Sequence, residues 1–299
     1  MPTDGPRRRA GPGWKQLTPG ARAACGVIVL FVLAAVFAPL LTRYQPWQQL
    51  DVVRLKSLPP SLAHPFGTDR FSRDVYTRVL YGARVSLAIG ALAVLLSSSV
   101  GTLYGAVAGY AGGVVDTVMM RIIDTFLSVP RVLLLIAVLA LWSPVPLAGL
   151  ILLIGLTGWF DIARIVRAQA MALRDREFVV AARSLGARPS AIVWRHVLPN
   201  VLAPVIVAGM LAVGNVIVLE AGLSFLGIGV REPTASWGTM FQDAANQFVS
   251  SWWAVIFPGV AIVATVLALN TLGDALRDLL DPRQLPAHPG SEFQEPAHG

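Results

Sequence analysis

The chain predicts an all-α, polytopic membrane protein with six transmembrane helices, on three observations. Its 299 residues are 55% apolar and only 14% charged, with a mean hydropathy of +0.63, whereas a soluble domain carries about 25% charged residues. The missing charge is removed in whole blocks. No Asp, Glu, Lys or Arg occurs between Arg22 and Arg43, Arg84 and Asp116, Arg131 and Asp161, Arg195 and Glu220, or Asp243 and Asp274. Crossing about 30 Å of hydrocarbon takes roughly 20 apolar residues as helix. Each block meets that length, and the third has room for two short spans. Finally, a buried helix of a soluble core would show polar residues every turn or two, and these blocks do not.

The first span is Ala23 to Thr42, behind a basic tail (residues 1–22) that holds Arg7, Arg8, Arg9, Lys15 and Arg22. A cleaved signal peptide would have a shorter apolar core, about 7–15 residues. Val36-Phe37-Ala38 is followed by Pro39, a poor cleavage context, so the helix is expected to be retained. The polar stretch 43–84 carries Pro46, Pro59, Pro60 and Pro65, which break any long helix. The core, 85–284, then supplies spans at Val85–Tyr110, Val132–Trp142, Leu147–Ala163, Val201–Leu219 and Ala254–Gly273, with Ser143-Pro144-Val145-Pro146 as a tight turn. Residues 285–299 read as a polar tail.

Six spans put both ends on one side. The tail, the Arg164–Arg195 segment and the carboxyl end hold fourteen Arg and Lys, against eight in the two long opposite loops. That bias places both termini in the cytoplasm, although the first outer loop is more basic than the rule prefers. The net charge of +7 thus reflects topology rather than nucleic-acid binding. The single cysteine, Cys25, lies in an apolar block and is a packing residue.

Within the second span Gly101, Gly105 and Gly109 recur every four residues, with Ser97 preceding them. This is a packing seam for a helix of this chain or of a second subunit. Asp116, Arg121, Asp124 and Arg131 precede the third span, and a separate interfacial helix over Asp116–Val129 would spare them burial. Trp237, Phe241, Phe248, Trp252 and Trp253 read as an interfacial belt. Glu220 and Asp161 lie near span ends.

Between spans four and five, residues 174–200 read as two short helices. Phe178, Ala182 and Leu185 share one face of the first. Gly186 ends it with a positive φ, and Pro189 prevents continuation. Ser190 then caps a second helix that Pro199 closes, and Asn200 caps the fifth span. Such a hairpin, small on one side and basic on another, suits either a groove in a soluble partner or an anionic lipid surface.

Ala181-Ala182, then Gly186, then Leu198-Pro199, resembles the permease signature Glu-Ala-Ala, three residues, Gly, nine residues, Ile, any residue, Leu-Pro. Val180 stands at the Glu position, with Glu177 one turn earlier, and His196 stands at the Ile position. His64-Pro65-Phe66-Gly67-Thr68-Asp69 with Arg73-Asp74, then Gly222 to Gly229 with Pro233 and Ser236-Trp237-Gly238, are similar to further signatures of the dipeptide, oligopeptide and nickel permeases. Phe257-Pro258-Gly259, Asn270, Gly273-Asp274 and Leu276 to Arg283 complete the resemblance, which covers about residues 63–283. Ser72 departs from it, standing where the family usually has Gly.

The resemblance implies an ABC-importer permease of the type I, methionine-importer-permease-like fold, sited in the cytoplasmic membrane. It forms half of a pathway for di- or oligopeptides, with nickel or another small solute as the alternative. Glu177, Ala181, Ala182, Gly186, His196, Leu198 and Pro199 would then couple it to an ATPase. The implied partners are a second homologous permease, two cytoplasmic ATP-binding subunits, an extracytoplasmic substrate-binding protein and membrane lipids. No cofactor is expected in this chain, ATP and Mg²⁺ belonging to the ATPases. The residues agree, since no Gly-x-x-x-x-Gly-Lys-[Ser/Thr] occurs. The four histidines have no ligand-spaced companions, so no metal site or enzyme is expected. A secondary transporter would favour inverted repeats and ionisable residues at mid-membrane, and no repeat is evident.

Overall fold

The computed structural model describes residues 18–142, 144–245 and 250–280, and among these it holds no strand, only a Thr68–Asp74 bridge. The tails, Ser143, Phe248 and the Asp281-Pro282-Arg283 exit lie outside the described residues. Among the described residues five helices are long and apolar enough to cross a membrane, and one helix pair, bent by 69°, is the candidate for a sixth.

Helix α1 (Pro19–Val36) begins four residues before the expected Ala23, because Thr18 Oγ1 accepts from Ala21 N–H at 3.2 Å and Pro19 fits the first turn. A further turn, α2 (Ala38–Leu41), follows Phe37. Helix α3 (Val75–Ala111) begins ten residues before the expected Val85 and takes Arg78 and Arg84 into the helix. Asp74 caps it, accepting from Thr77 N–H at 2.8 Å. At 37 residues it is about 55 Å long, and it ends at Gly112, whose φ is +65°.

Helices α4 (Gly113–Leu127) and α5 (Arg131–Leu141) meet at 69°, so the segment before the third span is a separate helix, as expected. It does not spare its charges: Asp116 is buried and bound through both oxygens to Arg167. Helices α6 (Leu147–Leu156) and α7 (Trp159–Arg174) form one crossing with a break at Thr157-Gly158. This crossing runs eleven residues past the expected Ala163, since Arg164 and Arg167 find carboxylates on α4 instead of forming a loop.

The seam glycines settle the partner of α3. Gly101, Gly105 and Gly109 face the carbonyls of Trp159, Ala163 and Arg167 on α7, and a Cβ on Gly101 would lie 2.6 Å from the first of these. Two helices with matched four-residue periods therefore approach backbone to backbone.

After α8 (Glu177–Ser184) come α9 (Pro189–Ile192), a π turn (Val193–Val197) and α10 (Leu198–Phe225), continuous as one crossing from Pro189 to Phe225. Pro199 thus sits in the first turn of α10 and does not end a helix. A proline lacks the N–H that the helix ladder would use, and the π turn just before it shifts bonding to i−5, with Leu198 N–H on Val193 O. The cap of α9 is Arg188, not Ser190, and Asn200 Nδ2 donates to His196 O at 2.6 Å rather than capping. Short α11 (Trp237–Ala244) opens on a capping box between Ser236 and Thr239, and α12 (Trp253–Leu280) tolerates Pro258 near its start.

The aromatic belt also needs correction. Trp237 is fully buried, with Nε1 donating to Val79 O at 3.0 Å, and Trp253 is buried with Nε1 on Thr68 O at 2.9 Å. Both are core residues; Trp252 remains exposed.

Candidate coupling site

The helix–turn–helix sits at the end of the bundle where α3 gives way to α4 and α7 ends. Its turn follows from one residue. Gly186 takes φ +81°, so that Gly186 N–H reaches Arg183 O at 3.0 Å and Ala187 N–H reaches Ala182 O at 3.1 Å. That pairing satisfies the last carbonyls of α8. No atom would meet a Cβ at Gly186, so its requirement is conformational, not steric.

The buried face of α8 is Val179, and Ala182 is half-buried. Phe178 and Leu185, expected to share one face with Ala182, are exposed, Leu185 at 88%. Glu177 and Ala181 are also exposed. His196 lies on the π turn with its ring 6.1 Å from that of Phe178, which ties α8 to the foot of α10. Leu198 is buried and Pro199 exposed beside it. The structure therefore gathers the seven predicted residues into one hairpin and leaves Phe178, Val180 and Leu185 uncovered. An apolar surface ringed by Arg176, Arg183 and Arg188, all exposed, is shaped for a partner.

From the foot of α10 an apolar groove of about 740 Å³ runs between α3 and α10, lined by Leu95, Ser98, Thr102, Leu198, Leu202 and Ile206. Its floor of small residues includes Gly209, and Trp194 stands at its rim.

The opposite end holds a polar centre that sequence reasoning did not find. Asp69 accepts from Arg73 Nε at 2.7 Å and from Arg78 Nη1 at 2.8 Å. Asp243 of α11 accepts from Arg73 Nη2 at 2.6 Å and from Arg78 Nη1 at 2.8 Å, and Glu232 also binds Arg73. Burial pulls the Arg73 guanidinium down, but Asp69, Asp243 and Glu232 outweigh it and hold it above its ordinary value. Nearby, His64 Nδ1 lies 2.9 Å from Asp74 Oδ1. The available signal was the density of Asp69, Arg70, Arg73, Asp74 and Arg78 within ten residues. The partners Glu232 and Asp243 are more than 150 residues away, beyond any local pattern. Glu220 lies near the end of α10, as expected, and is fully buried there. Among the described residues, no three His, Cys, Asp or Glu side chains converge as metal ligands.

These features define a class: a multi-pass α-helical membrane protein with an exposed apolar hairpin at one end. Residues 101–285 match the family of binding-protein-dependent transport system inner membrane components. The chain is 40% identical over 273 residues to the dipeptide transport system permease protein DppC of Bacillus subtilis, covering 90% of this chain and 84% of the relative. It is 41% identical over 272 residues to the DppC of Alkalihalophilus pseudofirmus, covering 90% and 88%. With the oligopeptide transport system permease protein OppC of B. subtilis it shares 39% over 257 residues, covering 86% and 83%. The chain belongs to the binding-protein-dependent transport system inner membrane component family, and is a multi-pass inner-membrane permease subunit of an ABC importer.

Proposed function

We propose that this chain forms half of an ATP-driven uptake pathway for di- and oligopeptides. The observation that carries the ATP-driven part is the uncovered hairpin around Gly186, rigidly continuous with α10. Two cytoplasmic ATPase subunits hydrolyse ATP with Mg²⁺, and this chain holds no cofactor of its own. One of them receives Phe178, Val180 and Leu185, which are apolar and otherwise open to water. Glu177, Ala181, Ala182, Gly186, His196, Leu198 and Pro199 carry the motion into the spans. The peptide reading is supported by the names of the dipeptide and oligopeptide relatives. A second, homologous permease completes the path, facing the groove between α3 and α10, and an extracytoplasmic binding protein delivers the substrate.

Both termini lie in the cytoplasm. Fourteen Arg and Lys on the side of the termini, against eight in the two long opposite loops, support that orientation.

The test is Gly186→Val. A β-branched residue at positive φ costs about 1–3 kcal/mol locally, enough to reshape the turn without unfolding the bundle. The expected result is normal membrane insertion, loss of the co-purifying ATPase and loss of ATP-dependent uptake. Full ATPase retention with full uptake would refute the docking role.

A further inference from the structure

Glu220 is fully buried near the outer end of α10, and its three hydrogen-bond partners are serine hydroxyls from three different elements. Ser224 Oγ of α10 donates at 2.7 Å and Ser236 Oγ, the cap of α11, at 2.8 Å, both to Oε1. Ser86 Oγ of α3 donates to Oε2 at 3.3 Å. Each hydroxyl oxygen in turn accepts a backbone N–H: Val230 on Ser224 at 2.9 Å, Thr239 on Ser236 at 3.2 Å, and Trp237 on Ser86 at 3.2 Å. A hydroxyl oxygen that accepts an N–H keeps its own proton free to donate, and each of the three lies within hydrogen-bond distance of the carboxyl. The surrounding backbones are in contact: a Cβ on Gly238 would lie 2.6 Å from Ala221 Cα, and one on Gly229 would lie 2.6 Å from Ser224 N.

A permanent bolt here would not need an acid, since an amide or hydroxyl fills such a role with a smaller desolvation penalty. A carboxyl differs in gaining far more from water once the joint opens. The same helix starts at the coupling hairpin, and Leu198 and Glu220 are about 33 Å apart along it. Motion at the ATPase end therefore reaches this joint along one continuous helix, with Pro204 the one proline beyond its first turn.

We infer that Glu220 is a positioning residue of the transport cycle, a releasable clasp that holds the outer ends of α3, α10 and α11 together until α10 moves. This rests on the ATP-coupled importer reading above. In the clasped state the carboxyl is dry and holds three elements; in the released state it is hydrated, and the pathway is open to the outside. The clasp opposes the opening that substrate delivery brings about.

The experiment is ATP hydrolysis and uptake by the full complex in proteoliposomes, with and without its binding protein, for Glu220→Ala and Glu220→Gln. Alanine removes the clasp, so hydrolysis without binding protein is expected to rise about fivefold or more. Glutamine keeps an acceptor for Ser224 and Ser236 and turns its amide toward Ser86, but has no charge to hydrate. It is expected to lower uptake about fivefold at an unchanged amount of assembled complex. Raised hydrolysis without binding protein in the alanine variant, against unraised basal hydrolysis and lowered uptake in the glutamine variant, is the mark of a clasp, and a merely structural role would lower hydrolysis and uptake together in both. Both variants within about twofold of wild type, or both losing activity in proportion to lost complex, would overturn the inference. A wild-type complex that hydrolyses no ATP would instead sink the importer reading itself.

Discussion

Arg73 stands in the middle of the polar centre, meeting Asp69, Asp243 and Glu232 at once. Its proton affinity is raised in the folded state. A raised folded value means that its contribution is present at all pH values below the unfolded one, which for arginine lies far above neutrality. Arg73 itself therefore introduces no pH dependence between pH 5 and 9. Removing it leaves Asp69 and Asp243 buried with fewer cations. Arg73→Ala is expected to destabilise the folded protein by about 3–5 kcal/mol, seen as a lower melting temperature in detergent. Arg73→Lys, which keeps the charge but loses the planar fork, falls between. An unchanged melt for the alanine variant would show that the centre is not a structural clamp.

The seam between α3 and α7 holds the bundle together at the element scale. Gly105 faces the Ala163 carbonyl and the Val166 Cβ, so any side chain drives the two helices apart. Gly105→Leu is expected to cost at least about 1–3 kcal/mol by overpacking and to cut the yield of folded protein. Gly26, on α1, has nothing near a Cβ position, and Gly26→Ala is the matched control, expected to be neutral or slightly stabilising. Equal yields from the two would contradict the close approach. Much of this element was legible beforehand. A four-residue period of glycines specifies a face, though not whose backbone fills it. The foot of α10 was not legible, because Pro199 is a stop signal in most helices and is tolerated here only by a π turn that leaves no mark in residue pattern.

At the scale of the whole molecule, the exposed hairpin and the groove are unfinished surfaces. The importer reading predicts that the chain alone in vesicles moves no solute. With a second permease, two ATPases and a binding protein, it is expected to accumulate labelled di- or oligopeptides in an ATP-dependent manner and to leave Ni²⁺ outside. Nickel accumulation without peptide uptake would reassign the substrate, and uptake by the isolated chain would refute the coupling scheme.

Charge-free blocks of about twenty residues determined the membrane class and located the candidate crossings, because hydrocarbon excludes charge wherever the chain passes through it. The hairpin was equally local: a glycine at positive φ and a proline three residues later set it within a dozen residues. Only the tertiary structure decided that Arg73 meets Asp243, that Glu220 gathers Ser86 and Ser236, and that Trp237 is core rather than belt. Each joins residues far apart in the chain, and the energy of a buried polar pair depends on a neighbour that no local spacing specifies.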